Sequence, residues 1–285
     1  MSKFRTCKAG RLNTGGSACP IDWGKVKGAI LVEHGKKLTE LDEDSPAEKL
    51  LAACHADGAS RIYPIGTFVE YAREGGEVQT NAVGYGGTKI TGISARNDTY
   101  TLDVPNEALN ATLLASKSKQ WDAYFYDENN VIYGQRDDDG SLAGIPMQCV
   151  YSNLSEHPTS GDPASHTVTF CMKDAEKYLK NIAYVQCDFD LEDALIGLTP
   201  VELVEMTSGN YKILEEFGSY DRTEEIVSGV NAGDLVDMFN GATTVSFNSG
   251  INALAIIGSG VVSIKSPSYL FTSGIATGVE YIRTR

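Results

Sequence analysis

The spacing of hydrophobic residues predicts one clear helix near the start of the chain. Apolar residues between Ala47 and Cys54 recur every three or four positions, which places them on one buried stripe. The segment 45–48 (Ser-Pro-Ala-Glu) is a capping box with proline at the first helical position, and Gly58 ends the pattern. We therefore predict a helix over residues 47–57.

Outside this helix, apolar and polar residues alternate in short runs that are separated by glycine, asparagine and aspartate. Alternation with a period of two is typical of antiparallel strands, and the separating residues favour turns. In the run at 121–126, Trp121, Ala123 and Phe125 share one face. The pattern predicts strands at 27–33, 61–71, 77–83, 89–94, 99–104, 121–126, 131–134, 166–172 and 183–190, with helical segments at 105–117 and 173–180.

The run at 183–190 separates polar from apolar positions most clearly. Its even-numbered residues are polar and its odd-numbered residues are apolar. One face of this strand is therefore predicted to be exposed and the other to pack inward. The predicted exposed residues are Tyr184, Gln186, Asp188 and Asp190, and the predicted inward residues are Val185, Cys187 and Phe189.

Glycine and proline at 197–200 mark the best boundary between two parts of the chain. Before it we predict an N-terminal arm at 1–25, which lacks periodicity, and a large β domain at 26–198. After it, residues 199–285 have the size of a small C-terminal β-sandwich domain. Its predicted elements are strands at 202–206, 211–217, 243–247, 253–257, 261–264 and 279–283 and a short helix at 234–239.

The charge of the chain limits the classes of partner. Lys and Arg number 24 against 38 Asp and Glu, giving a net charge of −14 without a basic block. A protein that grips nucleic acid needs a basic surface for the phosphates, so direct nucleic-acid binding is not expected. A wall that nucleic acid slides past remains compatible with this charge. No apolar run approaches the roughly 18 residues of a membrane helix, and we expect a chain that is made and used in cytosol.

Two motifs suggest ligand binding at first sight. The segment 84–89 (Gly-Tyr-Gly-Gly-Thr-Lys) lacks the order of a phosphate-binding loop, and no helix pattern follows it. The segment 137–141 (Asp-Asp-Asp-Gly-Ser) lacks the alternate acids and terminal Glu of a calcium loop. We interpret both as hairpin turns. The acidic residues Asp188, Asp190, Glu192 and Asp193 are interpreted as an exposed charged face rather than a metal site.

Histidine and cysteine provide no recognisable catalytic or metal-binding pattern. His34, His55, His157 and His166 belong to no nucleophile or zinc signature. The six cysteines form no Cys-x-x-Cys motif and no redox pair, and Cys54, Cys171 and Cys187 are expected to be buried or half-buried. We therefore predict no catalytic, cofactor-binding or metal-ligating residues, no cofactor, and a protein that is not an enzyme.

The order of these elements resembles the tail tube proteins of bacterial viruses. In that family an N-terminal arm leads into a β-sandwich or half-barrel with a flanking helix, six copies form a ring, and the rings stack. The resemblance covers residues 1–195 and implies an arm at 1–25, a flanking helix at 47–57 or 105–117, and a stacking loop at 71–88. It offers no catalytic residues.

The resemblance implies a virion structural protein, most simply a tail tube subunit that assembles in the host cytoplasm. Its partners would be copies of itself in hexameric rings and other tail proteins. DNA would pass through the tube without specific binding, and no membrane is involved. The acidic composition predicts an acidic inner wall, with 183–190, Glu70 and Asp122 as candidate contributors.

Two alternative functions stay open. One is another ring or head-decoration component of a virion. The other is a β-sandwich carbohydrate-binding or adhesin module, in which Trp23, Trp121 and the 14 tyrosines provide a stacking surface. Self-assembly distinguishes the two classes, because a tube subunit forms rings or filaments and a sugar-binding module remains monomeric.

Overall fold

A computed structural model describes residues 3–6, 23–42, 44–82, 84–207, 209–275 and 278–282. The protein is mainly β, which confirms the predicted fold class. The elements in chain order are β1 Lys3–Thr6, β2 Val26–Glu33, α1 Pro46–Cys54, β3 Tyr63–Gly66, β4 Phe68–Gly75, β5 Val78–Asn81, β6 Lys89–Ile93, β7 Arg96–Leu102, α2 Glu107–Ala115, β8 Trp121–Asp127, β9 Val131–Arg136, β10 Leu142–Ala143, β11 Ile145–Ser152, β12 Thr167–Met172, α3 Ala175–Lys180, β13 Ile182–Gln186, α4 Leu191–Ala194, β14 Thr199–Thr207, β15 Asn210–Glu215, α5 Thr223–Ser228, β16 Phe239–Asn248, β17 Ala253–Ile264, α6 Pro267–Thr272 and β18 Val279–Tyr281.

Contacts between residues divide the chain into two compact units. The first unit comprises Met1–Ala47 and Ile62–Ala194, and the second comprises Glu48–Arg61 and Leu195–Arg285. The boundary follows Ala194, whereas the predicted boundary follows residue 198. Most of α1 belongs to the second unit, whereas the tail tube resemblance implied that 47–57 or 105–117 is a flanking helix of the first β domain.

The first unit is a β-sandwich in which one strand takes part in both layers. The rear sheet has the order β1-β13-β9-β8, with β2 paired to β8 and β3 to β2. The front sheet has the order β11-β12-β7-β4, and neighbouring strands are antiparallel in both. Strand β11 pairs with β8 at Ile145 and Pro146 and with β12 from Met147 onward, with a bulge between Met147 and Cys149. This strand, which the sequence pattern did not predict, joins the layers.

The core of the first unit lies between the two sheets and is rich in aromatic side chains. Phe125 of the rear sheet packs edge-to-face against Phe170 of the front sheet, with ring centroids 5.1 Å apart. Trp121, Ala123 and Phe125 all belong to this core, as their alternation predicted. Every residue of β8 is buried, however, so its second face is also covered and the strand has no exposed face.

Strand β13 differs from its prediction in length and in burial. The strand ends at Gln186, and Tyr184 is buried in the core beside Tyr133 instead of being exposed. Tyr184 is covered because it lies opposite Tyr133 of β9, on the face of the rear sheet that packs into the core. The other assignments in this segment are correct for Gln186, Asp188 and Asp190, which are exposed, and for Val185 and Cys187, which are buried, whereas Phe189 is half-buried.

The described residues of the second unit form one five-stranded sheet, whereas a small sandwich was predicted. The order is β16-β17-β15-β14-β18, with β18 parallel to β14. The segments 253–257 and 261–264, predicted as two strands, are both part of the long strand β17. Helices α5 and α6, which were not predicted, pack against this sheet, so helices supply the second layer that the prediction gave to strands. The helix predicted at 234–239 is a 3-10 turn at Leu235–Met238.

A long-range ion pair explains why the segment Glu48–Arg61 belongs to the second unit. Nη1 of Arg61 donates to both carboxylate oxygens of Glu280 in β18 at 2.8 Å, and its Nε donates to the carbonyl of Ala56 at 2.7 Å. The ring of His55 stacks on Phe271 of α6, with centroids 5.0 Å apart. The segment is thus attached by side chains that lie more than 200 positions from their partners.

The N-terminal arm is described only at its two ends. Lys3–Thr6 forms β1 and pairs with β13, although no strand was predicted within the arm at 1–25. Residues 7–22 lie outside the described residues.

Among the helices that are described, none has the length and apolar character needed to cross a membrane.

Candidate assembly surfaces

The outer face of the front sheet is polar and contains no basic side chain. In β7 the buried residues Asp98, Tyr100 and Leu102 alternate with residues that point away from the core. The register of the sheet then assigns the neighbouring outward positions on the other three strands. The outer face comprises Glu70, Ala72 and Glu74 on β4, Asn97, Thr99 and Thr101 on β7, Thr167, Thr169 and Cys171 on β12, and Cys149 and Tyr151 on β11.

Neutral hydroxyl groups form the middle of this face and carboxylates form its edge. Thr99 and Thr169 are directly opposite each other and their hydroxyls hydrogen-bond at 3.0 Å. Glu70 and Glu74 lie on the edge strand β4 and are exposed. Arg73 of the same strand lies opposite the buried Asp98 and therefore points to the other face of the sheet. The outer face carries only negative formal charge.

Strand β4 is an exposed edge. Among the described residues it pairs with β7 alone, and all its residues from Val69 to Glu74 are exposed. A strand with an unpaired row of N–H and C=O groups is a template for pairing with another chain. Glu70, which was predicted as a wall residue, lies on this open edge.

A two-stranded ribbon extends from the same end of the front sheet. It consists of β5 and β6 with the loop between them, and each of its residues from Val78 to Thr91 that is described is exposed. Gly75 begins it with a φ of +73°, and a Cβ there would lie 1.9 Å from the carbonyl oxygen of Ala95. Only glycine fits this turn. The stacking loop predicted at 71–88 thus consists of the end of β4 and most of the ribbon.

The ribbon presents apolar side chains to solvent. Val78 and Ile90 are 57% and 75% exposed, and Tyr85 extends fully from the tip. Thr80 lies opposite Ile90 and shares a face with Val78, so one face carries both aliphatic side chains. The segment 84–89 forms the end of the loop and the start of β6, which confirms the interpretation as a hairpin turn. An isolated two-stranded ribbon is marginally stable in water, so this one is suited to burial against another surface.

A cleft of about 1170 Å³ opens between the layers of the sandwich beneath β4. Asp98 is buried there and accepts hydrogen bonds from Nε of Arg96 at 3.0 Å and from the hydroxyl of Tyr71 at 2.9 Å. Burial, together with the Asp98 carboxylate, raises the pKa of Tyr71, so its hydroxyl remains a donor. At the other wall, Trp23 stacks on Tyr133 with centroids 4.7 Å apart.

Only one of the two tryptophans proposed for a stacking surface is accessible. Trp23 is 54% exposed and borders the cleft, whereas Trp121 is buried in the core. Because it is buried, Trp121 cannot form part of a ligand-binding surface. Near Trp23, the buried Asp127 carboxylate fixes the side of the cleft, because it accepts hydrogen bonds from the backbone of Gly24 and from the hydroxyl of Tyr133.

Comparison with models of protein families and with curated proteins finds no match to this chain. Its function must therefore be argued from its surfaces and its side-chain chemistry. The remaining candidate residues from the sequence divide into those that the fold uses internally and those that lie exposed.

The carboxylates of the segment 137–141 are already paired with a cationic side chain, that of Lys37. The ammonium group of Lys37 lies 2.7 Å from a carboxylate oxygen of Asp137, 2.6 Å from one of Asp139 and 2.9 Å from the hydroxyl of Ser141. It thus occupies the position between the carboxylates that a bound metal ion would need. Hydrogen bonds from Lys37 hold the pKa of Asp137 and of Asp139 below the usual range.

The contact between Ser152 and His166 is structural. Nδ1 of His166 accepts the backbone N–H of Asn106 at 3.0 Å, so the ring proton is on Nε2 and is donated to the Ser152 hydroxyl. A histidine that already donates to serine cannot remove its proton. The contact instead connects the N-terminal end of α2 to the front sheet.

The prediction that Asp122 contributes to the wall is wrong, because its side chain is buried. Its carboxylate accepts hydrogen bonds from Nδ1 of His34 at 2.7 Å and from the backbone of Gly35 at 2.8 Å. His55 is also buried, and burial lowers the pKa of its ring. His157 is exposed in the loop between β11 and β12.

The acidic segment after β13 is exposed and partly structural. Asp188, Asp190, Glu192 and Asp193 are exposed, and the Asp190 carboxylate accepts the backbone N–H of Glu192 at 2.9 Å at the start of α4. Within the described part of the chain, no group of three or more His, Cys, Asp or Glu is placed to hold a metal ion. The predictions that the chain has no cofactor and is not an enzyme stay predictions.

The structure reveals one pair of reactive groups that sequence reasoning missed. Cys149 and Cys171 are 22 positions apart and lie directly opposite each other on β11 and β12. Spacing along the chain gives no sign of this pair, because only the register of the two strands brings the thiols together. Cys54 and Cys187 are buried, as predicted.

Proposed function

We propose that this chain is a structural subunit of a phage virion, most simply the tail tube protein that assembles into stacked rings around a DNA conduit. The observation that carries the proposal is the front sheet, whose outer face is neutral or acidic and whose edge strand β4 is open. The ribbon beside that edge adds an exposed apolar surface. An open edge, a smooth polar face and a projecting ribbon are the parts that a self-assembling conduit needs.

Ring formation follows from a head-to-tail contact made by the front sheet. When the edge β4 of one copy pairs with the opposite side of the next front sheet, the interface is heterologous and closes into a ring if the rotation is suitable. The resemblance to tail tube proteins implies six copies. Closure of the ring pairs the exposed backbone groups of the edge strands, and this pairing stabilises the assembly.

The outer face of the front sheet would then line the channel. Each copy brings Glu70 and Glu74 with threonine and asparagine, and no basic side chain. Like charge on the wall keeps the phosphates of DNA hydrated and mobile, whereas lysine or arginine would bind them. The wall in this proposal is therefore acidic at the β4 edge and neutral across the middle, and it differs from the predicted wall segment 183–190, because β13 belongs to the rear sheet.

Electron microscopy of the purified protein tests the proposal directly. Negative-stain images should show rings or tubes with a central channel, and a map of the polymer should place Glu70, Glu74 and Thr99 on the channel wall. Light scattering that shows only monomer at high protein concentration contradicts the proposal. Rings that never stack favour the alternative of another virion ring or a head-decoration protein.

A charge reversal tests the role of the wall. In tubes of the variant Glu70→Lys with Glu74→Lys, the wall becomes basic and DNA should be retained. The matched control is Glu192→Lys with Asp193→Lys, an equal charge change at two exposed residues of the same unit. Retention measured with labelled DNA on sedimented tubes should rise for the first variant only. Equal retention by both variants rejects the assignment of this face.

The cleft favours a second candidate function, carbohydrate binding. The exposed ring of Trp23 borders a cavity that also contains Tyr71 and Tyr178, and sugars bind to aromatic faces of this kind. Titration of the monomer with glycans, followed by tryptophan fluorescence, tests it. Saturable quenching that Trp23→Ala removes, in a protein that never polymerises, would favour the adhesin or carbohydrate-binding module over the tube.

A further inference from the structure

The thiols of Cys149 and Cys171 form a cross-strand pair on the outer face of the front sheet. The two residues are direct partners in the antiparallel register of β11 and β12. Directly opposed residues in antiparallel strands have Cα atoms about 4.5 or 5.5 Å apart, and both values lie within the range found for disulfides. The backbone therefore already holds the two residues at bonding separation.

The two side chains also lie on the same face of the sheet. The Cys149 thiol is close enough to the Cys171 thiol to influence its pKa, and both thiols are free in this structure. Opposed residues lie on the same face of a sheet, as do Thr99 and Thr169 on the neighbouring strands. The separation of the two cysteines and their shared face therefore both favour a disulfide bond between them.

Solvent reaches this pair. Cys149 is exposed and Cys171 is half-buried at the border of a surface cavity of about 460 Å³. Burial, followed by the hydrogen bond with Cys149, raises the pKa of Cys171 to about 12. Cys149 is therefore the thiol that meets an oxidant first, and Cys171 is the one that completes the bond.

We propose that Cys149 and Cys171 are a redox modification site that closes into an intrachain disulfide when the protein meets a low-molecular-weight disulfide such as oxidised glutathione. The proposal does not depend on the tube function, because it requires only the register of β11 and β12. It differs from the expectation that the chain has no redox pair.

The chemistry balances as thiol–disulfide exchange. The Cys149 thiolate attacks one sulfur of oxidised glutathione, the glutathione S–S bond breaks, and one glutathione thiolate leaves and takes up a proton. The Cys171 thiol then loses its proton to water and attacks the Cys149 sulfur, which expels the second glutathione. Two cysteine thiols are oxidised and one glutathione disulfide is reduced to two thiols.

The disulfide would connect β11 to β12 and close the loop that contains residues 153–166 between them. A cross-link that closes a loop removes conformations from the unfolded chain and so favours the folded state. The modified protein should therefore melt at a higher temperature than the reduced protein, and reduction should reverse the shift.

Mass spectrometry can test the bond without interference from the other cysteines. Residues 137–173 form a single tryptic peptide, since no Lys or Arg lies between Arg136 and Lys173, and it contains only these two cysteines. After treatment with oxidised glutathione, the peptide should lose the mass of two hydrogen atoms and resist alkylation. Cleavage after Glu156, between the cysteines, should give two fragments that separate only on reduction.

A register-shift variant is the matched control. Cys149→Ser with Tyr151→Cys keeps one thiol on each strand but places the new cysteine opposite Thr169, on a diagonal to Cys171. Diagonal residues are about 7–8 Å apart, so closure should slow roughly tenfold or more. Circular dichroism should show that the variant keeps the fold of the parent.

The outcomes divide clearly. Closure in the native parent that is faster than in the register-shift variant, and faster than in the parent unfolded by urea, supports the proposal. Full alkylation of both cysteines after oxidation overturns it. So does a stable glutathione adduct on Cys149, an equal rate in the two proteins, or closure only in urea, because each shows that the folded sheet does not bring the thiols into reaction.

Discussion

The aspartates that are buried in the described part of the first unit each accept hydrogen bonds from two or more donors. The Asp127 carboxylate accepts hydrogen bonds from the backbone of Gly24, Asn129 and Val131 and from the hydroxyl of Tyr133. It joins the start of β2 to the turn between β8 and β9. A buried carboxylate is stable only with such a set of donors, and each donor in turn depends on the carboxylate.

We predict that Asp127→Asn destabilises the first unit by about 2 kcal/mol or more, because the amide replaces an acceptor with a donor that faces other donors. Urea unfolding monitored by tryptophan fluorescence measures the change in the free energy of unfolding. The control Asp138→Asn, in an exposed turn, should change stability by no more than about 0.5 kcal/mol. Equal effects would show that the network around Asp127 is not stabilising.

The contact of Lys37 with Asp137 and Asp139 predicts a titration that NMR can follow. The pKa of each carboxyl group is lowered in the folded state, chiefly by hydrogen bonds from Lys37. Their stabilising contribution is thus present above the ordinary carboxyl pKa and is lost as the pH falls through the lowered values. In Lys37→Met both carboxyl groups should titrate at higher pH.

The matched control for this titration is Lys119→Met, which removes a lysine whose ammonium group lies 3.6 Å from Glu33. It should leave the titration of Asp137 and Asp139 unchanged. Carboxyl carbon shifts recorded across the acid range distinguish the variants. An unchanged curve in Lys37→Met would contradict the assigned ion pairs.

At the scale of elements, the ribbon and the sheet from which it extends have different stabilities. The front sheet is held by a core, whereas the ribbon packs few of its side chains and is held mainly by hydrogen bonds between β5 and β6. A segment with so little buried surface contributes little to folding and is available for binding. Changes in the ribbon should therefore affect assembly rather than stability.

Ile90→Lys tests this separation of roles. A charge on the apolar face of the ribbon should abolish stacking, so tubes become short or are replaced by single rings, while the melting temperature stays close to that of the parent. The control is Leu114→Lys on α2, since Leu114 is 66% exposed. Electron microscopy gives the tube length, and loss of tubes in both variants would show that the effect is not specific to the ribbon.

At the scale of the whole molecule, the second unit is assembled from two distant parts of the chain. The segment Glu48–Arg61 is joined to β18 by an ion pair in which Arg61 donates to both carboxylate oxygens of Glu280. Such a pair fixes the guanidinium in one orientation, which a single surface contact does not. The unit therefore depends on residues that precede most of the first unit in sequence.

We predict that Arg61→Met lowers the free energy of unfolding of the second unit by about 2 kcal/mol, because Glu280 and the Ala56 carbonyl lose a charged donor. Hydrogen exchange of amides in β18 and α6 reports on this unit specifically. Arg222→Met is the control, since Arg222 pairs with the nearby Glu215 and Glu225, and its effect should stay below about 1 kcal/mol. Equal exchange in both variants would contradict the special role of Arg61.

Local patterns in the sequence were sufficient to predict the mainly β fold and the helix near Ala47. They also placed Trp121, Ala123 and Phe125 in the core and identified the loop at 84–89 as a hairpin turn. These features depend on neighbouring residues, because alternation, capping and turn preferences act over a few positions. The resemblance to tail tube proteins was likewise based on the order of such elements.

Only the tertiary structure decided which faces of the strands are exposed. Tyr184 and Asp122 occupy polar positions in alternating runs, yet both are buried, because other parts of the chain cover both faces of β13 and β8. The pairing of Arg61 with Glu280 and of Cys149 with Cys171 likewise joins residues far apart in sequence. Register and packing between distant segments determine such contacts, and a pattern of period two or 3.6 carries no information about the partner strand.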